Sequence, residues 1–297
     1  MTPEGILARP ARILSQENRE RYFETGYLGV NGLVGNDWLE PLRELTGEFV
    51  EASRRIKERD GRFDLEPDHT PESPRIRRLN SPVELHELYW RFASEGPFAD
   101  VAEDLLGPNL KFHHSKLNFK WSSGGEQVKW HQDIQFWPHT NYDLLTIGVY
   151  LEAVDDTMAP MGVVPGSHRG PLFELYDDED NWTGFIRDSD IPAVDVGSAG
   201  YIGGQAGTVT VHNCRSIHGS APNPGERARP LLLSTYSAAD AFPITNLTLG
   251  ASHSEQSVRG QAARWARFDP RPCPMPPDWS KQGGYKSIFA HQQREPV

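Results

Sequence analysis

The sequence predicts a mainly β fold with flanking α-helices, a double-stranded β-helix or jelly roll, and two observations carry that reading. After Pro108 the chain runs through six short segments rich in β-branched and aromatic residues, "KFHHSKLNFKW", "QVKWHQDIQFW", "LLTIGVYLEAV", "MGVVPGSH", "GTVTVHN" and "ARPLLLSTYSA". Gly, Pro, Asp and Asn separate them, and no helical stretch intervenes, which favours an antiparallel sandwich over a doubly wound sheet. Before Pro108 the pattern is helical.

The elements follow in chain order. "GNDWLEPLRELTGEFVEASRRIKERD" spaces Leu39, Leu42, Leu45, Phe49 and Ile56 at helical intervals, with Asn36 and Asp37 as caps. "SPVELHELYWRFASEGPFADVAEDLLG" reads as two shorter helices, the first opening at Pro82 and the second ending near Gly107. The acidic, glycine-rich stretch over 175–205 interrupts the strand series as a long loop, and loops of that length inside a compact domain carry function or move. From Asp240 onward the pattern weakens into the proline-rich "FDPRPCPMPPDW". The expected organisation is one domain over 1–297: a helical region at 15–107, a jelly-roll core at 108–240, and an irregular tail at 241–297 wrapped on the core.

Composition narrows the function classes. A formal charge of −11 argues against sequence-independent binding to nucleic acid or anionic lipid, because both need a basic surface. Two cysteines, Cys214 and Cys273, are too few for a disulfide framework and suit a reducing compartment. The first residues lack the unbroken apolar stretch of a signal peptide, and no run approaches a transmembrane length. A cytoplasmic monomer or homodimer, with no nucleic-acid or membrane partner, is the expectation.

The chemistry centres on "KWHQDIQFWP", residues 129–138. On an extended chain side chains alternate faces, so His131 and Asp133 point the same way with one residue between them. Both are costly to bury unpaired, and aiming two ligands at one point resolves that. His218, in "SIHGSAPNPGERARP" on a later strand, supplies a third. Two imidazoles and one carboxylate cap one face of an octahedral ion and leave the opposite face open, the arrangement of non-haem Fe(II) oxygenases. The absence of a cysteine cluster disfavours structural zinc. Past the turn at Asn223-Pro224-Gly225, Arg229 stands at the base of the apolar strand "PLLLSTY". A guanidinium buried there needs an anion, and its planar fork matches a carboxylate such as the far end of 2-oxoglutarate.

These motifs resemble the phytanoyl-CoA dioxygenase family of Fe(II)/2-oxoglutarate-dependent oxygenases. "GPN" before the first core strand, "WHQD", "GVVPGSH" some thirty residues later, and "HGSAPNPGERAR" occur in that order within residues 15–240. The resemblance implies that His131, Asp133 and His218 bind Fe(II) and form the catalytic centre. It implies that Arg229, eleven residues after His218, grips 2-oxoglutarate with Ser220 hydrogen-bonding the same carboxylate. An upstream basic residue contacts the co-substrate in such enzymes, and Arg78 in "RIRRLNSP" is the match; Gln127 is a further polar candidate. A tryptophan of some members corresponds to Val149 here, beside Tyr150. The implied reaction consumes O2 and 2-oxoglutarate, yields succinate and CO2, and hydroxylates an unactivated C–H bond of a small-molecule substrate. Desaturation, epoxidation or cyclisation are alternative outcomes on the same cofactors. Because Asp133 is present where halogenating relatives carry a small residue, halogenation is disfavoured.

Other readings compete. A cupin-like isomerase or hydrolase would use the three ligands without 2-oxoglutarate, and a non-catalytic jelly-roll module would not use them at all. His113 and His114 are adjacent, so a regular strand sends them to opposite faces and at most one meets the pocket. His212 has the parity to approach the core, without the standing of a ligand. One of Lys116 and Lys120 reaches the pocket unless both lie on a solvated edge.

Overall fold

The computed structural model describes residues 1–122, 125–245, 252–279 and 287–292. Its helices are α1 (Pro3–Leu7), α2 (Gln16–Thr25), α3 (Asn36–Ala52), α4 (Pro82–Leu85), α5 (Glu87–Glu95), α6 (Pro97–Leu106) and α7 (Ile288–Gln292). Its strands are β1 (Tyr27–Val30), β2 (Phe63–Leu65), β3 (Ile76–Asn80), β4 (Leu110–Asn118), β5 (Val128–His131), β6 (Leu144–Tyr150), β7 (Met161–Val163), β8 (Gly200–Ile202), β9 (Val209–Asn213), β10 (His218–Ser220), β11 (Leu231–Ala238) and β12 (Ser257–Arg259).

Two antiparallel sheets form the jelly roll. The larger runs β1-β9-β6-β11-β4-β3-β2, with β12 also pairing β4, and the smaller runs β5-β10-β7-β8. Helices cover the outer face of the larger sheet, where Leu42, Phe92, Phe98 and Leu105 pack with Leu117, Ile147, Val149, Val211 and Leu232 in one buried cluster. Alternation then turns the neighbouring residues, such as Thr146, Tyr150 and His212, toward the space between the sheets.

The six segments read as strands all contribute strands. The first third is less helical than its pattern suggests, because β1, β2 and β3 join the larger sheet from it. β3 escapes a hydrophobic reading because its sequence, IRRLN, carries two arginines, and both are buried. The α3 cap is Gly35, without a side-chain cap bond, rather than Asn36 or Asp37. The expected pair of helices over 81–107 is three, because His86 is extended (φ −157°, ψ 138°) and caps α5 by accepting from the Leu88 N–H through Nδ1. The 175–205 loop is anchored: Leu175, Trp182, Ile186 and Val194 are buried in a second cluster with Ile134, Phe136 and Trp137.

Two bulges set which side chains reach the interior. On β4, Thr235 of β11 pairs His114 and Tyr236 pairs Phe112, so His113 is an extra residue. That shift keeps Phe112 and Leu110 on the helix-covered face with Leu117 although 112 and 117 differ in parity. It also brings the two rings together, His113 Nδ1 hydrogen-bonding His114 Nδ1, against the expectation that they diverge. On β5, His131 pairs His218 while Val128 pairs Ser220, three steps against two.

Candidate active site

His131 ends β5 and His218 begins β10, directly opposite each other in the smaller sheet. Asp133 lies just past the strand, opening a 3-10 turn over Asp133–Gln135, so turn geometry rather than strand alternation aims its carboxylate. His131 Nε2 is 3.5 Å and His218 Nε2 3.9 Å from Asp133 Oδ1, and the ligand atoms of the three buried residues all lie within 4.8 Å of one another. Both outer ring nitrogens are engaged: His131 Nδ1 donates to the Lys129 carbonyl (2.8 Å) and His218 Nδ1 to the Ser216 carbonyl (3.0 Å). This leaves each Nε2 as a lone-pair ligand in a fixed orientation, the support that metal-binding imidazoles ordinarily receive.

Behind the triad the larger sheet presents a polar row in register, His212, Thr146, Thr235 and His114. His212 Nε2 and Thr146 Oγ1 each stand 3.3 Å from Asp133 Oδ2, and Thr146 bonds Thr235 at 2.9 Å. Burial alone would raise the Asp133 carboxyl. Lys116, His218 and the hydrogen bonds from His131 and His212 outweigh it and hold the carboxyl well below its ordinary value. Burial, reinforced by the His212 and His131 rings, keeps His218 far below the ordinary imidazole value. An ionised carboxylate beside a neutral imidazole is the state a divalent cation requires.

One cavity opens from the triad and is lined by Arg78, Lys116, Asn118, His212, Ser220 and Arg229, with Val128, Met161, Leu231, Leu233 and Ile288 as its apolar wall. Arg229 is 3% exposed, and its Nε and Nη1 have no hydrogen-bond partner among the described residues. Its one neighbour of note is the Tyr150 ring, 5.7 Å away. An orphaned guanidinium in the cavity that also takes in His131 and His218 fits a dicarboxylate lying between it and the ligand atoms. Ser220 lines the same cavity, and so does Arg78, whose Nε donates to Asn118 Oδ1 at 2.9 Å. Tyr150, beside Val149, faces inward and binds the Ile202 carbonyl, while Val149 packs outward.

Gln127 falls outside this arrangement. It is exposed and does not line the cavity, because the β5 bulge changes the parity and brings Val128 round to the His131 face instead. Of the two lysines, Lys116 lines the cavity, whereas Lys120 Nζ donates to the carbonyls of Glu126, Ser220 and Ala221 and ties the loop after β10 to β4's end. Burial, with the Arg229 charge next, pulls Lys120 down to about 6. His212 is the residue that sequence reasoning undervalued. Its parity was visible, but its approach to Asp133 depends on the pairing of β9 with β6.

A jelly roll that aims two imidazoles and a carboxylate into a cavity ending in an unpaired arginine defines the class of non-haem Fe(II)- and 2-oxoglutarate-dependent oxygenases. The sequence profile of the phytanoyl-CoA dioxygenase (PhyH) family matches residues 22–231, and the chain belongs to that family. It is a non-haem Fe(II)/2-oxoglutarate oxygenase. A probable alpha-ketoglutarate-dependent hypophosphite dioxygenase of Stutzerimonas stutzeri is 28% identical over 282 residues, spanning 93% of this chain and 96% of that protein. An ectoine dioxygenase of Sphingopyxis alaskensis is 28% identical over 57% of this chain and 61% of its own length. The solved structure of EctD from S. alaskensis with 2-oxoglutarate and 5-hydroxyectoine shares the fold at a TM-score of 0.65 and 21% identity, covering 88% of this chain and 92% of that one. No helix among the described residues is long and apolar enough to cross a membrane.

Proposed function

We propose that the chain hydroxylates a C–H or comparable E–H bond of a small molecule, with His131, Asp133 and His218 as the iron ligands and Arg229 and Ser220 holding the distal carboxylate of 2-oxoglutarate. The observation that carries this reading is the unpartnered Arg229 guanidinium in the cavity of the triad. A cupin-like isomerase or hydrolase has no use for that cation. The acidic surface and two free thiols support a cytoplasmic enzyme, monomeric or homodimeric, over one that docks on nucleic acid or lipid.

Iron(II) bound to the triad supplies the activation of O2 and the oxidising power, with 2-oxoglutarate as the source of two electrons. One oxygen atom of O2 ends in the substrate hydroxyl and the other in the new carboxylate of succinate. The protein's own contribution is positional. The Lys129 and Ser216 carbonyls fix the two imidazoles, Thr146 and His212 fix Asp133 Oδ2 so that Oδ1 faces the ligand centre, and Met161, Leu231, Leu233 and Ile288 exclude water. Arg78 has the cavity position for a contact to either bound carboxylate or substrate.

Anaerobic addition of Fe(II) and 2-oxoglutarate is expected to give the visible charge-transfer absorption of a chelated keto acid, and His131→Ala or Asp133→Ala to abolish it with the fold intact. Arg229→Ala is expected to raise the 2-oxoglutarate requirement roughly 10- to 100-fold, the worth of charge-assisted hydrogen bonds. Unchanged 2-oxoglutarate affinity in that variant counts against the assignment.

A further inference from the structure

The cavity is more cationic than its metal and co-substrate require. Elsewhere buried cations meet carboxylates or several carbonyls: Arg77 with Glu66 and Glu126, Lys111 with Glu255, Lys120 with three carbonyls, and Arg215 with two, one of its nitrogens being left over. In the cavity they do not. Among the described residues Arg229 keeps two nitrogens without a partner, and Arg78 meets only the neutral Asn118 amide and the Phe289 ring, 5.4 Å away. The Lys116 side chain has no hydrogen bond or ion pair among the described residues, and burial pulls it below the ordinary lysine value, with Asp133 opposing and Arg78 assisting. Among the described residues no carboxylate side chain lines the cavity with them.

The charges can be counted. Three side-chain cations and a divalent iron give five positive charges. Asp133 and dianionic 2-oxoglutarate give three negative ones, so two positive charges remain in a cavity walled in part by Leu231, Leu233 and Ile288. Uncompensated charge in such surroundings is expensive, and a further anion removes the expense.

Strand register says which cations are left over. His114 stands in the row that backs Asp133; Lys116, Asn118 and Lys120 follow at two-residue steps along β4 and the chain beyond it. Arg229 belongs to the last of these levels, exchanging backbone hydrogen bonds with Lys120. Lys116 is therefore one step from the triad and Arg229 three, and at about 3.3 Å per residue the two lie roughly 13 Å apart along the sheet. Arg78 pairs Asn118, at the level next to Lys116. A dicarboxylate running from the triad to Arg229 spans this level with its carboxylates at the two ends, met by the iron and by Arg229, which leaves the Lys116 charge for whatever is oxidised beside the iron.

We infer that the substrate is a small oxyanion with an oxidisable hydrogen on a short apolar body, and that Lys116, with Arg78, binds its anionic group beside the triad. This rests on the iron and 2-oxoglutarate reading above. Leu231, Leu233, Met161 and Val128 offer the body an apolar wall, and the net charge of −11 disfavours a bulky polyanionic carrier. The reaction replaces the substrate hydrogen with hydroxyl. Two electrons come from that bond and two from 2-oxoglutarate, which together reduce O2, so no other reductant enters.

The test uses the full chain loaded anaerobically with Fe(II) and 2-oxoglutarate, and phosphite, methylphosphonate and isobutyrate as probes, with neutral isobutyramide as control. At least one anion is expected to perturb the visible absorption and, in air, to raise succinate release about tenfold over background, while isobutyramide does neither. Lys116→Met should weaken that anion roughly 10- to 100-fold, the loss of a charge-assisted contact, with 2-oxoglutarate affinity unchanged, and Lys116→Arg should restore most of it. Silence from all three anions, equal action by isobutyramide, or a loss of 2-oxoglutarate affinity in Lys116→Met overturns the inference. Failure of the wild-type protein to develop the absorption before any probe is added overturns instead the reading beneath it.

Discussion

His212 shows how a side chain outside the ligand set can decide whether the ligands work. Its Nε2 lies 3.3 Å from Asp133 Oδ2, its ring centroid lies 4.1 Å from that of His218, and its Nδ1 is buried without a partner among the described residues. With the proton on Nε2, it donates to the oxygen of Asp133 that faces away from the other two ligands, and Thr146 does the same. Removing such support ordinarily weakens metal binding 10- to 100-fold. His212→Leu is therefore expected to raise the Mn(II) dissociation constant by about that factor, read by titration of the metal-free protein. An unchanged constant would make His212 mere filling. The triad itself was legible from HxD and a distant HGS, because ligand chemistry constrains residue type. His212 was not, because nothing in "GTVTVHN" marks the residue as opposite Thr146 until β9 and β6 are paired.

Elements carry the information that the sequence hid most thoroughly, and the bulges are the reason. A period-2 reading sends His113 and His114 apart and puts Gln127 and Lys129 on the His131 face; one extra residue in β4 and one in β5 reverse both conclusions. Only the pairing partner reveals the extra residue. The smaller sheet also explains the glycine in "HGS". β10 is flanked by β5 and β7, and a Cβ on Gly219 would sit 2.8 Å from the Val128 carbonyl oxygen and 3.3 Å from the Trp130 backbone nitrogen. Backbone cannot swing aside as a side chain can, so Gly219→Ala must push β10 off the bulged strand and carry His218 with it. The expected loss is about 1–3 kcal/mol of stability, as for other overpacked sites. Thermal melts with and without Mn(II) test it: the metal-dependent rise in midpoint should shrink in the variant. A full-sized rise would show that the sheet absorbs the methyl without moving the ligand. Deleting His113 is the companion case. It would leave Phe112 and Leu117 four residues apart, on one face of a regularly paired β4, so the helix-covered cluster should survive and denaturant unfolding should show only the loss of His113 packing against Trp137 and His139, about 1 kcal/mol.

Across the whole molecule the buried imidazoles make stability depend on pH in a definite direction. Burial, with backbone or charged neighbours as smaller influences, lowers His139 to about 4 and His114 to about 3 from an ordinary 6.5, and the half-buried His168 also to about 4. An unfolded chain takes up protons at these positions as pH falls through about 6.5, whereas the folded protein refuses them until about 4 or below. Between those limits the unfolded state binds more protons, so stability rises with pH and falls on acidification. His139 and His114 each contribute up to about 1.4 kcal/mol per pH unit to that slope, and His168 less because solvent reaches it. Above pH 7 these groups are neutral in both states and add no slope. Over the measured range down to pH 5 carboxylates add little, since their ordinary values lie below it. Urea midpoints measured from pH 7.5 down to 5 on metal-free protein should therefore fall steadily below about pH 6.5, and His139→Gln should flatten the decline. A midpoint that holds constant or climbs over that range would mean that these rings take up protons without unfolding, and that the interior between the sheets is wetter than its burial indicates.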